Sequence, residues 1–124
     1  MNEELKQWFD KANEDYCVAL ELLKTGSYNG TICFHCQQSI EKYLKAFLFF
    51  KGEEIKKTHI LDFLLNRACN FDSDFCNIET YDLDQFAVDI RYPGDLLVPT
   101  NTETNEFIEV AKQIKSLVET KINI

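Results

Sequence analysis

The chain has 124 residues, which is enough for one domain with a buried core and too few for two. Hydrophobic residues make up 45% and charged residues 27%, a balance that is typical of globular domains and argues against disorder. The net charge of −8 argues against tight non-specific binding to nucleic acid, because there is no excess of cations to displace phosphate counterions. We therefore expect a single domain over residues 1–124.

The first residues and the cysteines indicate a cytoplasmic protein. The start, Met1–Glu4, is polar and charged, unlike a secretory signal, and five cysteines are an odd number. The longest apolar run, residues 46–50, is far shorter than the roughly 18 residues that a membrane-spanning helix needs. The sequence thus predicts a protein with reduced thiols that does not enter a membrane.

Two long helices are predicted in the first half of the chain. The first runs from about Asn2 to Lys24 and ends at Gly26. The second begins near residues 27–29 and continues to Lys51, before Gly52. Apolar residues at three- and four-residue steps form the predicted buried stripes: Leu5, Trp8, Phe9, Ala12, Tyr16, Ala19, Leu20 and Leu23 in the first helix, and Ile32/Cys33, Cys36, Ile40, Tyr43/Leu44, Phe47 and Phe50 in the second.

A short third helix is predicted after Gly52. Thr58 is its predicted N-cap, and residues 69–80 are predicted to form a loop with about one helical turn. The predicted buried side of this helix consists of Leu61, Phe63, Leu64, Leu65 and Ala68.

Two more helices complete the predicted fold. The fourth spans about Tyr81 to Arg91, because Pro93 removes the preceding residue from helical geometry. The fifth spans residues 102–121, and Thr100 and Glu103 are spaced as a capping box. No alternating strand pattern is present. The predicted fold is therefore all-α: an antiparallel up-and-down helical bundle with four main helices and one short helix.

Three ordered motifs resemble the HEPN (higher eukaryotes and prokaryotes nucleotide-binding) domain family. The first is Phe34–Ala46, with the sequence FHCQQSIEKYLKA, and the second is Lys57–Leu61, KTHIL. The third is the Arg91–Pro93 turn, RYP. The resemblance covers essentially the whole chain and is strongest over residues 31–64 and 86–94.

The resemblance implies a helical bundle that commonly forms a homodimer. Such proteins are often encoded beside a minimal nucleotidyltransferase, with which they can form a two-component, toxin–antitoxin-like complex. Some members are metal-independent ribonucleases that use an Arg and a His a few residues after it. Here Leu96, Leu97 and Val98 stand where that His would follow Arg91. The chain is therefore more similar to the non-ribonuclease branch, assigned to nucleotide binding or to partnering the nucleotidyltransferase.

Arg91 is the strongest single candidate for a ligand-binding residue. Its planar guanidinium, at a helix end beside a constrained turn, suits phosphate or carboxylate. The simpler interpretation is an ion pair with Asp89 or Asp95, or a cation at a helix C-terminus.

Lys57, Thr58 and His59 form a second candidate site, at the start of the third helix. The free backbone N–H groups there could hold an anion. The alternative is that Thr58 caps the helix and His59 covers its neighbours.

A polar ribbon on the second helix supplies further candidates. Its members, Gln38, Glu41, Lys42 and Lys45, include three- and four-residue steps. Glu41 and Lys45 are the preferred binding residues because they combine a favourable ion-pair spacing with the family motif. Lys42 is expected on a solvated face.

No metal or cofactor is predicted. Cys33 and Cys36 share a helix face with zinc-like spacing, but buried free cysteines explain them better, since a structural zinc usually needs four ligands. His35 falls off the stripe and could face a dimer interface. Four aspartates are interpreted as caps and solubilising groups: Asp72, Asp74, Asp82 and Asp84.

Three functions remain open. The first is a homodimeric partner of a nucleotidyltransferase that holds a nucleotide or RNA near Arg91. The second is a ribonuclease that uses Arg91 with His59 or His35 as general acid and base. The third is a structural adaptor without a ligand. Dimerisation is expected because the aromatic excess, which includes Phe47, Phe49 and Phe50, exceeds what one buried stripe can accommodate.

Overall fold

The computed structural model describes residues 2–54, 57–86 and 98–122. Within these ranges the chain forms four α-helices, two 3-10 turns and no strand. The helices are α1 (Glu3–Leu23), α2 (Asn29–Phe50), α3 (Leu61–Phe71) and α4 (Asn101–Ile122), and the 3-10 turns are Ser73–Phe75 and Leu83–Phe86. The predicted all-α helical bundle is confirmed.

Capping and glycine explain where α1 and α2 begin and end. The Asn2 side chain accepts a hydrogen bond from the Leu5 N–H at 2.8 Å and so caps α1. Gly26 and Gly52 follow the two helices with φ of +72° and +88°, a left-handed conformation that glycine adopts without steric cost. Both helices lie within two residues of their predicted limits.

The first two helices form an antiparallel hairpin, and α2 is the central element of the fold. Ser39 Oγ donates to the Ala12 carbonyl at 2.9 Å, and the Tyr43 ring packs edge-on against Phe9 at 5.2 Å. From Ser39 to Tyr43 along α2, the contacted residue on α1 moves back from Ala12 to Phe9, so the two helices run in opposite directions. Because α2 also packs against α3 and α4, most of its surface from Ile32 to Leu48 is buried.

The last helix, α4, starts beside the start of α2. The Asn29 amide donates to the Pro99 carbonyl at 3.1 Å and to Asn101 Oδ1 at 2.9 Å. The predicted capping box is confirmed: Glu103 N–H donates to Thr100 Oγ1 at 3.0 Å, and Thr100 N–H donates to Glu103 Oε1 at 2.9 Å.

The predicted start of the third helix is wrong. Helix α3 begins at Leu61 after Ile60, and Thr58 only accepts a hydrogen bond from the Ile60 N–H at 3.2 Å. The Asp84 carboxylate instead accepts the Leu61 N–H at 3.0 and 3.2 Å. A residue distant in sequence therefore replaces the local cap.

Other helical limits and two buried positions also differ from the prediction. Helix α3 continues through residues 69–71, which were expected in a loop. Phe63 is 42% exposed and Phe50 is 44% exposed, because Phe63 lies off the inward face of α3 and Phe50 lies at the last turn of α2.

The fourth predicted helix is only partly described. Its expected start is wrong: Tyr81 lies in a turn with φ of +54°, and residues 83–86 form a 3-10 turn. Residues 87–97, including Arg91 and the turn predicted at Tyr92 and Pro93, lie outside the described residues.

The expectation of reduced thiols is wrong for two cysteines. Cys69, on α3, forms a disulfide with Cys76, which follows the 3-10 turn at residues 73–75. The turn brings the two Cα atoms within 4.7 Å, inside the usual range for a disulfide. Cys17, Cys33 and Cys36 are free. No helix in the described part of the chain is long and apolar enough to span a membrane.

Candidate functional site

The candidate site is a polar network that α2 carries into the interior. Glu41 and Lys45, expected to line a groove, have side chains only 5% and 6% exposed. Lys45 Nζ donates to Glu41 Oε2 at 3.1 Å, so the favourable spacing produces an ion pair as predicted. Pairing is required here, because burying either charge alone is costly.

Gln37 links this ion pair to the segment before α3. It is fully buried, and its Nε2 donates to Glu41 Oε1 at 3.3 Å and to the His59 carbonyl at 3.0 Å. Gln38, the predicted glutamine, is half-buried and donates to Gln37 Oε1 at 2.7 Å. Sequence reasoning missed Gln37. Its position, one residue before Gln38 and four before Glu41, could have identified it.

His59 is the exposed member of the network. Its Nδ1 lies 2.8 Å from Glu41 Oε1, while 67% of its side chain is exposed. An ionised carboxylate only accepts hydrogen bonds, so Nδ1 carries a proton in this contact and Nε2 is the nitrogen not bonded to Glu41. Glu41 therefore fixes the orientation of an imidazole that faces solvent.

The start of α3 carries its own anion. The carboxylate of Asp84 bonds the Leu61 N–H, and burial raises its pKa while this hydrogen bond partly offsets the rise. An external anion on that N–H would have to displace Asp84, so the Leu61 N–H is not free to bind an anion as the sequence analysis assumed. Lys57 is exposed and Thr58 is half-buried in the segment that leads to His59.

A second carboxylate on α1 organises the neighbouring part of α2. Asp15 accepts from Lys42 Nζ at 2.6 Å and lies 2.9 Å from His35 Nδ1. All three side chains are mostly buried. The expectation of a solvated Lys42 is therefore wrong, and His35 faces α1 within its own chain, because both residues reach the same carboxylate across the α1–α2 interface.

A surface groove lies beside these two clusters. Its volume is about 550 Å³, and its lining residues are Glu4, Gln7, Trp8, Lys11 and Lys42. Lys45 Nζ lies 5.7 Å from the centre of the Trp8 ring, close enough for a cation–π contact. The groove thus adjoins both clusters through Trp8 and Lys42.

The two free thiols on α2 belong to the core, as the free-cysteine interpretation predicted. Cys33 and Cys36 are fully buried. Burial raises the pKa of Cys33 to about 11 and also raises the pKa of Cys36, so both remain neutral thiols near neutral pH. Among the described residues, no group of three or more His, Cys, Asp or Glu side chains is arranged to hold a metal.

Comparison with known proteins identifies the family. The HEPN domain profile matches residues 5–121. The chain belongs to the HEPN family. This HEPN protein is also similar to an archaeal HEPN homologue of known crystal structure, with a TM-score of 0.65 and 26% identity over 98% of this chain and 99% of the other. No curated protein matches it significantly.

In this HEPN domain, the motif on α2 and the motif before α3 form one cluster. Gln37, Glu41 and Lys45 come from the first motif and His59 from the second, 18 positions beyond Glu41. The structure therefore brings together four of the seven predicted binding residues. Lys45 and His59 both contact Glu41, and Gln38 joins them through Gln37. Lys57 and Thr58 flank the cluster in sequence, and Arg91 lies outside the described residues.

Proposed function

We propose that this HEPN protein is the non-catalytic partner of a minimal nucleotidyltransferase in a two-component, toxin–antitoxin-like system. In this proposal the protein is a homodimer, and a nucleotide or RNA phosphate binds near His59 and Arg91. The supporting observation is the Glu41–His59 contact, which fixes an exposed imidazole on a buried polar network.

The buried polar network favours a ligand-binding role over a catalytic one. Glu41 and Lys45 neutralise each other inside the bundle. Every buried side-chain nitrogen and oxygen in the described residues has a hydrogen-bond partner. A fully satisfied network is rigid, so it can hold one contact group in a fixed position. His59 is that group.

A phosphate fits the chemistry of the exposed groups. Lys57 and His59 lie two residues apart in the segment before α3, and both are exposed. A lysine ammonium and an imidazolium each form charge-assisted hydrogen bonds with phosphate oxygens. Glu41 is already engaged by Lys45, Gln37 and His59, which reduces its repulsion of such an anion.

Co-purification from the native host tests the proposal. Tagged wild-type protein and its His59→Ala, His35→Ala and Arg91→Ala variants are purified, and mass spectrometry identifies retained proteins and nucleotides. His35→Ala is the matched control, because His35 also bonds a carboxylate but is mostly buried. We expect wild type and His35→Ala to retain a small nucleotidyltransferase, and His59→Ala and Arg91→Ala to lose most of it. Equal recovery with all four proteins would exclude a role for His59.

A ribonuclease is the second candidate function. A carboxylate that orients an exposed imidazole is the arrangement expected of a general acid–base catalyst, and Glu41 and His59 have it. Under this alternative, RNA cleavage disappears in both Arg91→Ala and His59→Ala and persists in His35→Ala. Cleavage that survives both substitutions would eliminate it.

A structural adaptor without a ligand is distinguished by thermal denaturation. A nucleotide that binds only the folded protein raises the melting temperature as its concentration increases. We expect such a rise for wild type and a smaller one for His59→Ala. A melting temperature that no nucleotide changes would favour the adaptor.

A further inference from the structure

The connection after α3 carries a disulfide at the protein surface. Cys69 is half-buried on α3, whereas Cys76 is exposed immediately after the 3-10 turn Ser73–Phe75. The bond closes residues 69–76 into a short loop, referred to below as the 69–76 loop. One of its two sulfurs therefore belongs to a residue that small thiols in solution can reach.

The 69–76 loop holds the C-terminal end of α4. Lys121 Nζ lies 2.6 Å from Asp74 Oδ2 and 3.0 Å from Asp72 Oδ2. Phe75, in the same loop, is buried with its ring centre 4.6 Å from that of Phe47. The ion pair between Lys121, at the end of α4, and the two loop carboxylates thus depends on the conformation of the loop.

We propose that Cys69 and Cys76 form a reversible thiol–disulfide switch that locks the 69–76 loop onto α4 when oxidised and releases it when reduced. The proposed reductant and oxidant are a small thiol of the glutathione class and its disulfide. The switch is independent of the nucleotidyltransferase and nucleotide proposed above.

Exposure predicts the order of the exchange steps. The thiolate of the small thiol attacks Cys76 Sγ, the protein S–S bond breaks, and its electron pair leaves on Cys69 Sγ, which takes a proton. A second thiolate then attacks the outer sulfur of the mixed disulfide. Cys76 Sγ leaves as a thiolate and is protonated, and the small molecule departs as its disulfide. One protein disulfide and two small thiols thus give one protein dithiol and one small disulfide.

The three free cysteines differ in how readily they can react with the small thiol or its disulfide. Cys33 and Cys36 are buried, and burial raises the pKa of each thiol, so they contribute little reactive thiolate. Cys17 is an exposed free thiol on α1 and provides an internal control for labelling.

Equilibration in glutathione buffers tests the proposed switch. Purified protein is incubated at a series of reduced-to-oxidised glutathione ratios, quenched by alkylation, and analysed by mass spectrometry. We expect the Cys69–Cys76 bond to convert fully and reversibly between its two states across the series, while Cys17 stays accessible to alkylation in reduced buffer. A bond that never forms in oxidised glutathione, or never opens in excess reduced glutathione, would overturn the proposal.

Hydrogen–deuterium exchange tests the structural consequence. Reduction should increase amide exchange at residues 72–76 and in the last turn of α4 by about tenfold or more, because both lose the restraint of the closed loop. It should also lower the melting temperature by roughly 5–10 °C. Unchanged exchange at both places after complete reduction would contradict the switch.

Variants that lack one cysteine of the Cys69–Cys76 pair test the order of attack. Cys69→Ser leaves Cys76 as the exposed thiol, and we expect it to form a mixed disulfide with oxidised glutathione rapidly. Cys76→Ser leaves the half-buried Cys69 as the remaining thiol of the pair, and peptide mass spectrometry should show Cys69 reacting at least about tenfold more slowly. Equal rates would show that exposure does not direct the exchange.

Discussion

At the scale of single residues, distant partners determine the environment of several polar side chains. Asp84 was interpreted as a capping or solubilising residue, and it does cap a helix, but the helix is α3, whose first N–H lies 23 positions earlier. Its partial burial raises its pKa. Neither the partner nor the shift can be derived from the residues beside it in sequence.

The raised pKa of Asp84 predicts how stability changes with pH. Because the pKa is higher in the folded state than its ordinary value of 3.8, the folded protein holds this proton more tightly than the unfolded chain does. Asp84 therefore makes a favourable contribution to the free energy of unfolding that is complete below pH 3.8 and is lost as the pH rises through the folded-state pKa. Asp84→Asn removes this titration and keeps an acceptor for Leu61.

Urea denaturation from pH 3.5 to 7 measures the effect. We expect the free energy of unfolding of Asp84→Asn to increase relative to wild type as pH rises through that window. Asp82→Asn, at an exposed aspartate, is the control and should follow wild type. Asp84→Ala removes the cap and should cost about 1 kcal/mol. A constant difference between wild type and Asp84→Asn at all pH values would contradict the argument.

The cysteines give a second prediction at this scale. Only the thiolate reacts with iodoacetamide, and the pKa values of Cys33 and Cys36 are raised by burial. At pH 8 we expect rapid labelling of Cys17 in the native protein and protection of Cys33 and Cys36 until it unfolds. Peptide mass spectrometry over time measures this difference. Labelling of Cys36 as fast as Cys17 would show that Cys36 is not buried in the core.

At the scale of elements, helix α2 differs most from what its sequence suggests. Its polar positions were expected to form a solvated ribbon or line a groove. Instead, His59 in the segment before α3 contacts Glu41, and the Trp8 ring of α1 lies against Lys45. A helix in the centre of a bundle is buried on several sides, so its charged residues survive there only as pairs.

A double-mutant cycle tests the buried pair. Lys45→Met leaves Glu41 charged without its lysine, and we expect a loss of about 3–5 kcal/mol in the free energy of unfolding. Adding Glu41→Gln removes the buried carboxylate charge that Lys45 no longer neutralises and should recover part of this loss. Lys6→Met is the matched control, because Lys6 and Asp10 form an exposed ion pair of the same spacing, which solvent screens and which should contribute little to stability. Equal losses from Lys45→Met and Lys6→Met would contradict the buried pair.

At the scale of the whole molecule, apolar surface remains after the bundle has folded. Of the three phenylalanines used to predict dimerisation, Phe47 is in the core, Phe49 is partly buried against it and Phe50 is exposed. Ile60 and Phe63 are also exposed, at the start of α3. Of the three phenylalanines on which the prediction of a dimer rested, Phe50 therefore remains on the surface, and Ile60 and Phe63 add exposed apolar area that the prediction did not use.

We expect the protein to be a dimer at micromolar concentration, with a mass about twice the 14.5 kDa of the chain. Phe63→Glu places a charge on the exposed apolar surface of α3 and should weaken the dimer at least about tenfold, because burying a carboxylate in an interface is costly. Asn66→Asp, an exposed position on the same helix, is the control. Light scattering after size exclusion gives the mass, and a wild-type monomer would refute dimerisation.

The sequence by itself determined the family, the all-α class and the limits of the three long helices to within two residues. These features depend on local signals, such as the apolar period, the glycine that ends a helix and the capping box at Thr100 and Glu103. Each acts between residues that are at most a few positions apart.

Only the tertiary structure decided which polar groups are buried and which partners they have. The contact between Gln37 and His59, the Asp84 cap of α3 and the position of Asp15 between His35 and Lys42 each join residues 20 or more positions apart. The Cys69–Cys76 disulfide depends on how far α3 extends and how the following turn folds back. Such contacts form when helices pack, because packing removes water from the polar groups and leaves them only each other as partners.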